Sequence, residues 1–112
     1  MSKSVKLKRK RDIPPAHPGR ILKEEFLQPG GISQYRLAKA TGLSPIHVSE
    51  LVRGKRNVTA ETALRLEEAL GVSAGTWLSL QKQYELETAM EKSGSRIRRE
   101  TSRIEYGREV RV

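Results

Sequence analysis

The sequence predicts an all-α chain of five helices organised around a helix-turn-helix. Three observations carry this. Apolar residues recur at three- and four-residue spacing in successive stretches between Ile21 and Tyr84. Ser33, Ser44, Thr59 and Ser73 each stand just before such a stretch, where a side-chain oxygen caps a helix start. The segment Ser33–Leu51 then puts Ala38, Gly42, Val48 and Leu51 at the offsets two short crossed helices need: a small residue at the crossing, a glycine at the turn and an apolar inner face.

The elements follow in order. Residues 1–16 are expected to be a flexible basic arm, because they are lysine-rich and Pro14 and Pro15 disfavour a helix. A first helix is expected from Pro18 to about Gln28, with His17 as its cap, and Ile21, Leu22, Phe26 and Leu27 as its buried stripe. Pro29-Gly30-Gly31 ends it. Ser33 caps a second helix whose Leu37, Ala38 and Thr41 face inward, and Gly42 supplies the positive φ of the turn. Ser44 caps a third helix, with Pro45 in its first turn, running to about Val52.

After the basic loop Gly54-Lys55-Arg56-Asn57, Thr59 caps a fourth helix with Glu61 near its positive end. Ala63, Leu64, Leu66, Leu70 and Ala69 are assigned to its apolar face, and Gly71 ends it. Ser73 caps a fifth helix expected from Ala74 to Met90, with Trp77, Leu80, Gln81 and Tyr84 on one face. Ser93-Gly94-Ser95 reads as a breaker. The domain bounds are thus 1–16 for the arm, 17–92 for the folded body (helix-turn-helix 33–53), and 93–112 for an arginine-rich tail of helix, strand or disorder.

Composition narrows the function. The chain has 112 residues, no cysteine and a formal net charge of +9, with a pI near 10.3. A single domain with an acidic partner such as nucleic acid is expected, without disulfides or thiolate metal sites. No apolar run approaches the roughly 20 residues of a membrane span. Residues 1–12 hold six lysines and arginines against one aspartate, and residues 94–112 six arginines against three glutamates. Within the body, residues 33–59 are basic and residues 60–93 acidic. One end of the molecule is therefore suited to phosphates and the other to a different partner, or to solvent.

The third helix sorts by periodicity. Val48, Leu51 and Val52 face the second helix, while Ile46, Ser49, Glu50 and Arg53 face outward. With Ser44 and His47 at its margin, that outward stripe is the candidate base-reading surface of a helix in a DNA major groove. Ile46 suits a thymine methyl, Glu50 a cytosine N4 donor, and Arg53 a guanine or phosphate. Gln34, at the start of the second helix, and Lys55, Arg56, Asn57 and Thr59, just past the third, are the candidate phosphate contacts. The N-terminal arm either tracks the duplex or is a solubilising tail. Neither His17 nor His47 has partners at metal-ligand spacing, and no nucleophile–base pair, phosphate-cradling loop or paired carboxylate stands out. Neither catalysis nor a bound metal or cofactor is expected. Trp77 is assigned to the core, with a partner interface shared with Tyr84 as the alternative. Glu24-Glu25 and Glu67-Glu68 read as solvated helix charges.

Taken together, these motifs resemble a known family. The helix-turn-helix is similar to that of the Cro/cI-repressor (XRE) class. The combination of His17-Pro18-Gly19-Arg20-Ile21-Leu22, Ser33-Gln34, Gly42-Leu43-Ser44, Gly54-Lys55-Arg56, the run Thr59–Leu66 and Trp77-Leu78-Ser79-Leu80-Gln81 resembles the HigA-type antitoxins of bacterial addiction modules. The resemblance spans about residues 14–90. It implies a λ-repressor-like fold, a homodimer on operator DNA in its own promoter, and neutralisation of a small basic toxin of the RelE-like ribonuclease type. By position, it matches Gln34 and Arg56 to backbone contacts and Ser44, Ile46, Ser49 and Glu50 to reading positions. It also implies a cytoplasmic bacterial protein, nucleoid-associated when bound to DNA, with no membrane or small-molecule partner. A stand-alone XRE-type regulator without a toxin is the alternative. Two departures stand out. Arg20 replaces a usual acid, opposing the helix dipole by ~0.3–1 kcal/mol, and Pro45-Ile46 replaces polar residues, so base preference does not transfer.

Overall fold

A computed structural model describes residues 15–107 of the chain. The arm predicted over residues 1–16 therefore lies almost wholly outside the described residues, as do the last five residues of the tail. Five helical segments, and no strand, occur among the described residues. We number them α1 (residues 18–30), α2 (Gln34–Thr41), α3 (Pro45–Val52), α4 (Ala60–Leu70) and α5 (Ala74–Glu100). None is long and apolar enough to cross a membrane.

Helix α1 is not uniform. It opens as an α-helical turn at Pro18–Ile21, widens into a π-helical stretch at Leu22–Leu27, and closes at Gln28–Gly30. The Gln28 N–H accordingly donates to Lys23 O, five residues back. The widening precedes Pro29, whose ring would clash with the carbonyl four residues back in a regular helix. The helix thus runs through Pro29 and ends at Gly31, slightly later than expected. Its stripe is as expected: Leu22 and Leu27 are buried, and Ile21 and Phe26 half-buried.

The caps predicted at Ser33, Ser44, Thr59 and Ser73 are all present, each side-chain oxygen accepting from the N–H three residues on at 3.0–3.3 Å. The core gathers Leu22, Leu27, Leu37, Ala38, Val48, Leu51, Val52, Val58, Ala63, Leu66 and Trp77, so every helix contributes. Trp77 is fully buried and lies 5.5 Å from the Phe26 ring, which settles it as core. The His17 imidazole is also buried and meets the Tyr84 ring edge-on at 4.9 Å, joining the start of α1 to α5.

Three expectations need correction. Leu64 is 57% exposed and is not part of the α4 core face; Thr62 is buried in its place. At about 100° per residue, Leu64 lies roughly 160° around the helix from Leu66, whereas Thr62 shares the Leu66 side. Ser93-Gly94-Ser95 does not break α5, which continues ten residues past Met90 to Glu100. Serine and glycine each weaken a helix by about 1 kcal/mol or less. That penalty is opposed beyond them by the Arg96–Glu100 ion pair (3.2 Å) and the bond from Thr101 Oγ1 to Ile97 O (2.7 Å). Finally, Glu67 is not merely solvated: its Oε1 accepts from Ala74 N at 2.7 Å, so it helps start α5.

Candidate nucleic-acid interface

The candidate interface is built by local signals that orient α3. Ser33 starts α2, and Gly42 adopts φ 79° and turns the chain. The Thr41 hydroxyl donates to Leu37 O (2.7 Å) and accepts from Leu43 N (3.2 Å), tightening that turn. Ser44 then starts α3. Val48 and Leu51 are completely buried and Val52 nearly so, which fixes the rotation of the helix. On the opposite side Ile46 is 69% exposed. Fully burying a β-branched side chain is worth about 1.5–3 kcal/mol, so leaving Ile46 largely in water keeps apolar area free for a partner.

The far end of α3 closes just as sharply. Gly54, at φ 75°, sends its N–H to Leu51 O at 3.0 Å, and the Lys55 N–H reaches Glu50 O at 2.8 Å. This paired closure turns the chain back along the helix. Arg56 consequently lies beside Glu50, its Nε and Nη2 both donating to Glu50 Oε1 at 3.0 and 2.6 Å. Lys55, Arg56 and Asn57 form an exposed basic loop. The loop is anchored behind by Val58, whose side chain is buried and whose N–H donates to the buried Gln81 Oε1 at 2.8 Å.

The remaining candidates are placed as follows. The Ser44 hydroxyl is exposed at the start of α3 and already accepts from His47 N at 3.0 Å. His47 is half-buried and turns toward α4, its Nε2 lying 3.4 Å from Thr62 Oγ1. Burial, then the nearby Arg56 charge, lowers the His47 pKa below 6.5, against smaller opposing effects of Glu50 and Glu61. Ser49 is half-buried, and its carbonyl accepts from Arg53 N at 3.1 Å and Nε at 3.4 Å. Arg53 is exposed and, with His17, Arg20 and Lys23, lines an open cavity of about 420 Å³ beside the end of α3. Arg20 pairs there with Glu24 at 3.2 Å. Gln34 is exposed as the first residue of α2, while Thr59 is exposed at the start of α4 with its hydroxyl used as a cap.

The structure therefore brings Glu50 and Arg56 together, keeps Ile46 free beside them, and draws His47 aside. Sequence reasoning overlooked three residues that hold this surface in place. Arg65 donates from Nη1 to Thr41 O at 2.9 Å, tying α4 to the turn between α2 and α3. Gln81 secures the loop. Gly19 lets α1 approach the C-terminal end of α3. All three stand inside motifs that the sequence singles out, but nothing in their local pattern names their partners.

The comparisons agree with this architecture. The helix-turn-helix family profile matches residues 22–77. Virulence-associated protein I of Dichelobacter nodosus is 48% identical over 80 residues, covering 71% of this chain and 74% of that protein. The structure of Pseudomonas aeruginosa antitoxin HigA with the higBA promoter matches with a TM-score of 0.76 at 40% identity, over 79% of this chain and 96% of the other. Antitoxin GraA in complex with its operator matches with a TM-score of 0.79 at 36% identity, over 90% of this chain and all of the other.

Proposed function

The chain belongs to the helix-turn-helix family of HigA-type antitoxins, and on that premise we propose that it is the antitoxin of a type II toxin–antitoxin module. It binds operator DNA in its own promoter as a homodimer, represses that promoter, and neutralises a small basic toxin of the RelE-like ribonuclease type. It acts in the bacterial cytoplasm and joins the nucleoid when bound to DNA. The observation that carries this reading is the outward side of α3, where Ile46 and Arg53 are exposed and Ser49 and Glu50 half-buried, while Val48, Leu51 and Val52 are buried on the opposite side. A short helix so held, with a free reading face, fits the major groove. The two similar antitoxins solved with promoter or operator DNA support it.

In this reading Ser44, Ile46, Ser49, Glu50 and Arg53 meet base edges, with His47 at their margin. Gln34, Lys55, Arg56 and Asn57 are its phosphate candidates, and Thr59, whose hydroxyl caps α4, presents the backbone at the start of that helix. Leu86, Met90 and Ile97 lie exposed along one side of α5, an apolar stripe that supports pairing with a second copy. The dimer sets two α3 helices about one turn of the duplex apart.

The test is co-expression of the tagged chain with the adjacent reading frame, followed by purification and a growth assay. Co-purification of a small basic protein that arrests growth when expressed alone is the expected result. A harmless neighbour that does not co-purify removes the antitoxin role and leaves a stand-alone regulator of the XRE type.

A further inference from the structure

Glu50 projects from the outward face of α3, one helical turn beyond the exposed Ile46, where a carboxylate meets two problems. It carries negative charge toward a polyanion, and its long side chain has several rotamers. Arg56 answers both. Its Nε–H and Nη2–H converge on the single oxygen Oε1, at 3.0 and 2.6 Å, and no described side chain bonds the other oxygen, Oε2. The backbone that delivers Arg56 is itself fixed by the Gly54 closure of α3 and by the Val58–Gln81 bond. Neither partner is buried, with 35% of the Glu50 and 44% of the Arg56 side chain exposed, so the pair faces solvent rather than the core.

From this geometry we infer that Arg56 acts as a positioning residue for Glu50, orienting and neutralising its carboxylate so that Oε2 reads one base edge, rather than as an independent phosphate anchor. An ionised carboxylate only accepts hydrogen bonds. In the major groove it selects a base presenting an amino donor, cytosine N4 or adenine N6, and repels guanine O6 and N7 and thymine O4. A guanidinium bound through two donors to Oε1 leaves its charge largely compensated, so Arg56 adds little to counterion release. The inference rests on the operator-binding reading above and assigns one base-pair preference within it.

The experiment uses the full-length chain and a randomised double-stranded DNA library, followed by titration of the enriched duplex and its single-base variants at several salt concentrations. The wild type is expected to prefer cytosine or adenine at one base pair of each half-site by about tenfold. E50A and R56A are each expected to lose that preference while keeping the rest of the operator. R56A is expected to leave the salt slope unchanged, and R56A added to E50A to change nothing further at that base pair. Neither position is buried, and melting curves confirm that the variants fold. If R56A keeps the base preference and lowers the salt slope by about one, Arg56 is a phosphate anchor and the inference is overturned. If the wild type enriches no sequence at all, operator binding itself fails.

Discussion

Gly19 at the start of α1 faces the backbone of Leu51 in α3 so closely that a methyl group on Gly19 would lie 1.7 Å from the Leu51 carbonyl oxygen. Only a residue without a side chain allows α1 to seat against the end of α3. Because the obstacle is backbone, no rotamer change relieves it.

Gly19→Ala is therefore expected to destabilise the fold by about 3 kcal/mol or more, since α1 must shift away from α3. Urea denaturation measures it. An unchanged midpoint would show that the two helices have slack between them.

Gln81→Leu removes the acceptor for the Val58 N–H inside the core. A buried donor left alone costs about 1–3 kcal/mol, and each kcal/mol lowers the melting temperature by roughly 4–8 °C in a domain of this size. Gln81→Glu keeps an acceptor for Val58 but sets a second carboxylate beside Glu85, whose Oε2 now accepts from Gln81 Nε2 at 2.9 Å. Its loss should therefore shrink in acid, where carboxylates protonate. Calorimetry of both variants at two pH values checks the difference.

Ile46→Ala separates stability from binding. The side chain is exposed, so the melting temperature should stay within the range of a surface change, about 0.5 kcal/mol. Affinity for operator DNA should fall about tenfold if Ile46 covers a thymine methyl. A variant that binds as well as the wild type takes Ile46 out of the interface.

His17 makes stability depend on pH. Its Nδ1 accepts from Gly19 N at 2.9 Å, and burial lowers its pKa below 6.5. Below pH 6.5 the unfolded chain takes up the proton more readily than the folded one, so folding must exclude it. The contribution is fully present above 6.5 and is lost as pH falls from there through the folded-state value. His17→Asn keeps a capping oxygen without titrating in this range. Melting temperatures measured from about pH 8 to about pH 5 should fall less steeply for this variant than for the wild type. His47 adds to the dependence that remains, because burial and the Arg56 charge lower its pKa as well. Parallel curves would assign the whole effect to other groups.

Much of the fold was legible in the sequence because its signals act within a few residues. A hydroxyl at Ser33, Ser44, Thr59 or Ser73 satisfies an N–H three residues on, and Gly42 sets a φ that depends only on its own backbone. Periodicity likewise assigned Val48 and Leu51 inward and Ile46 outward. The same reasoning failed at Leu64, where hydrophobicity was counted ahead of helical angle, and at Gly94, where a weak breaker was read as a boundary.

The helix starts, the turn between α2 and α3, and the choice of which side of α3 is buried are written in the order of residues. All of these follow from short-range hydrogen bonding and the 3.6-residue period. Tertiary structure alone decided which distant groups meet: Arg65 with the Thr41 carbonyl, 24 residues away, Gln81 with the Val58 N–H, 23 away, and Gly19 with Leu51. It also turned the charges of Arg56 and Glu50 into a single pair. Such contacts arise only after the helices have packed, because the core sets the distance between surfaces that no local spacing encodes.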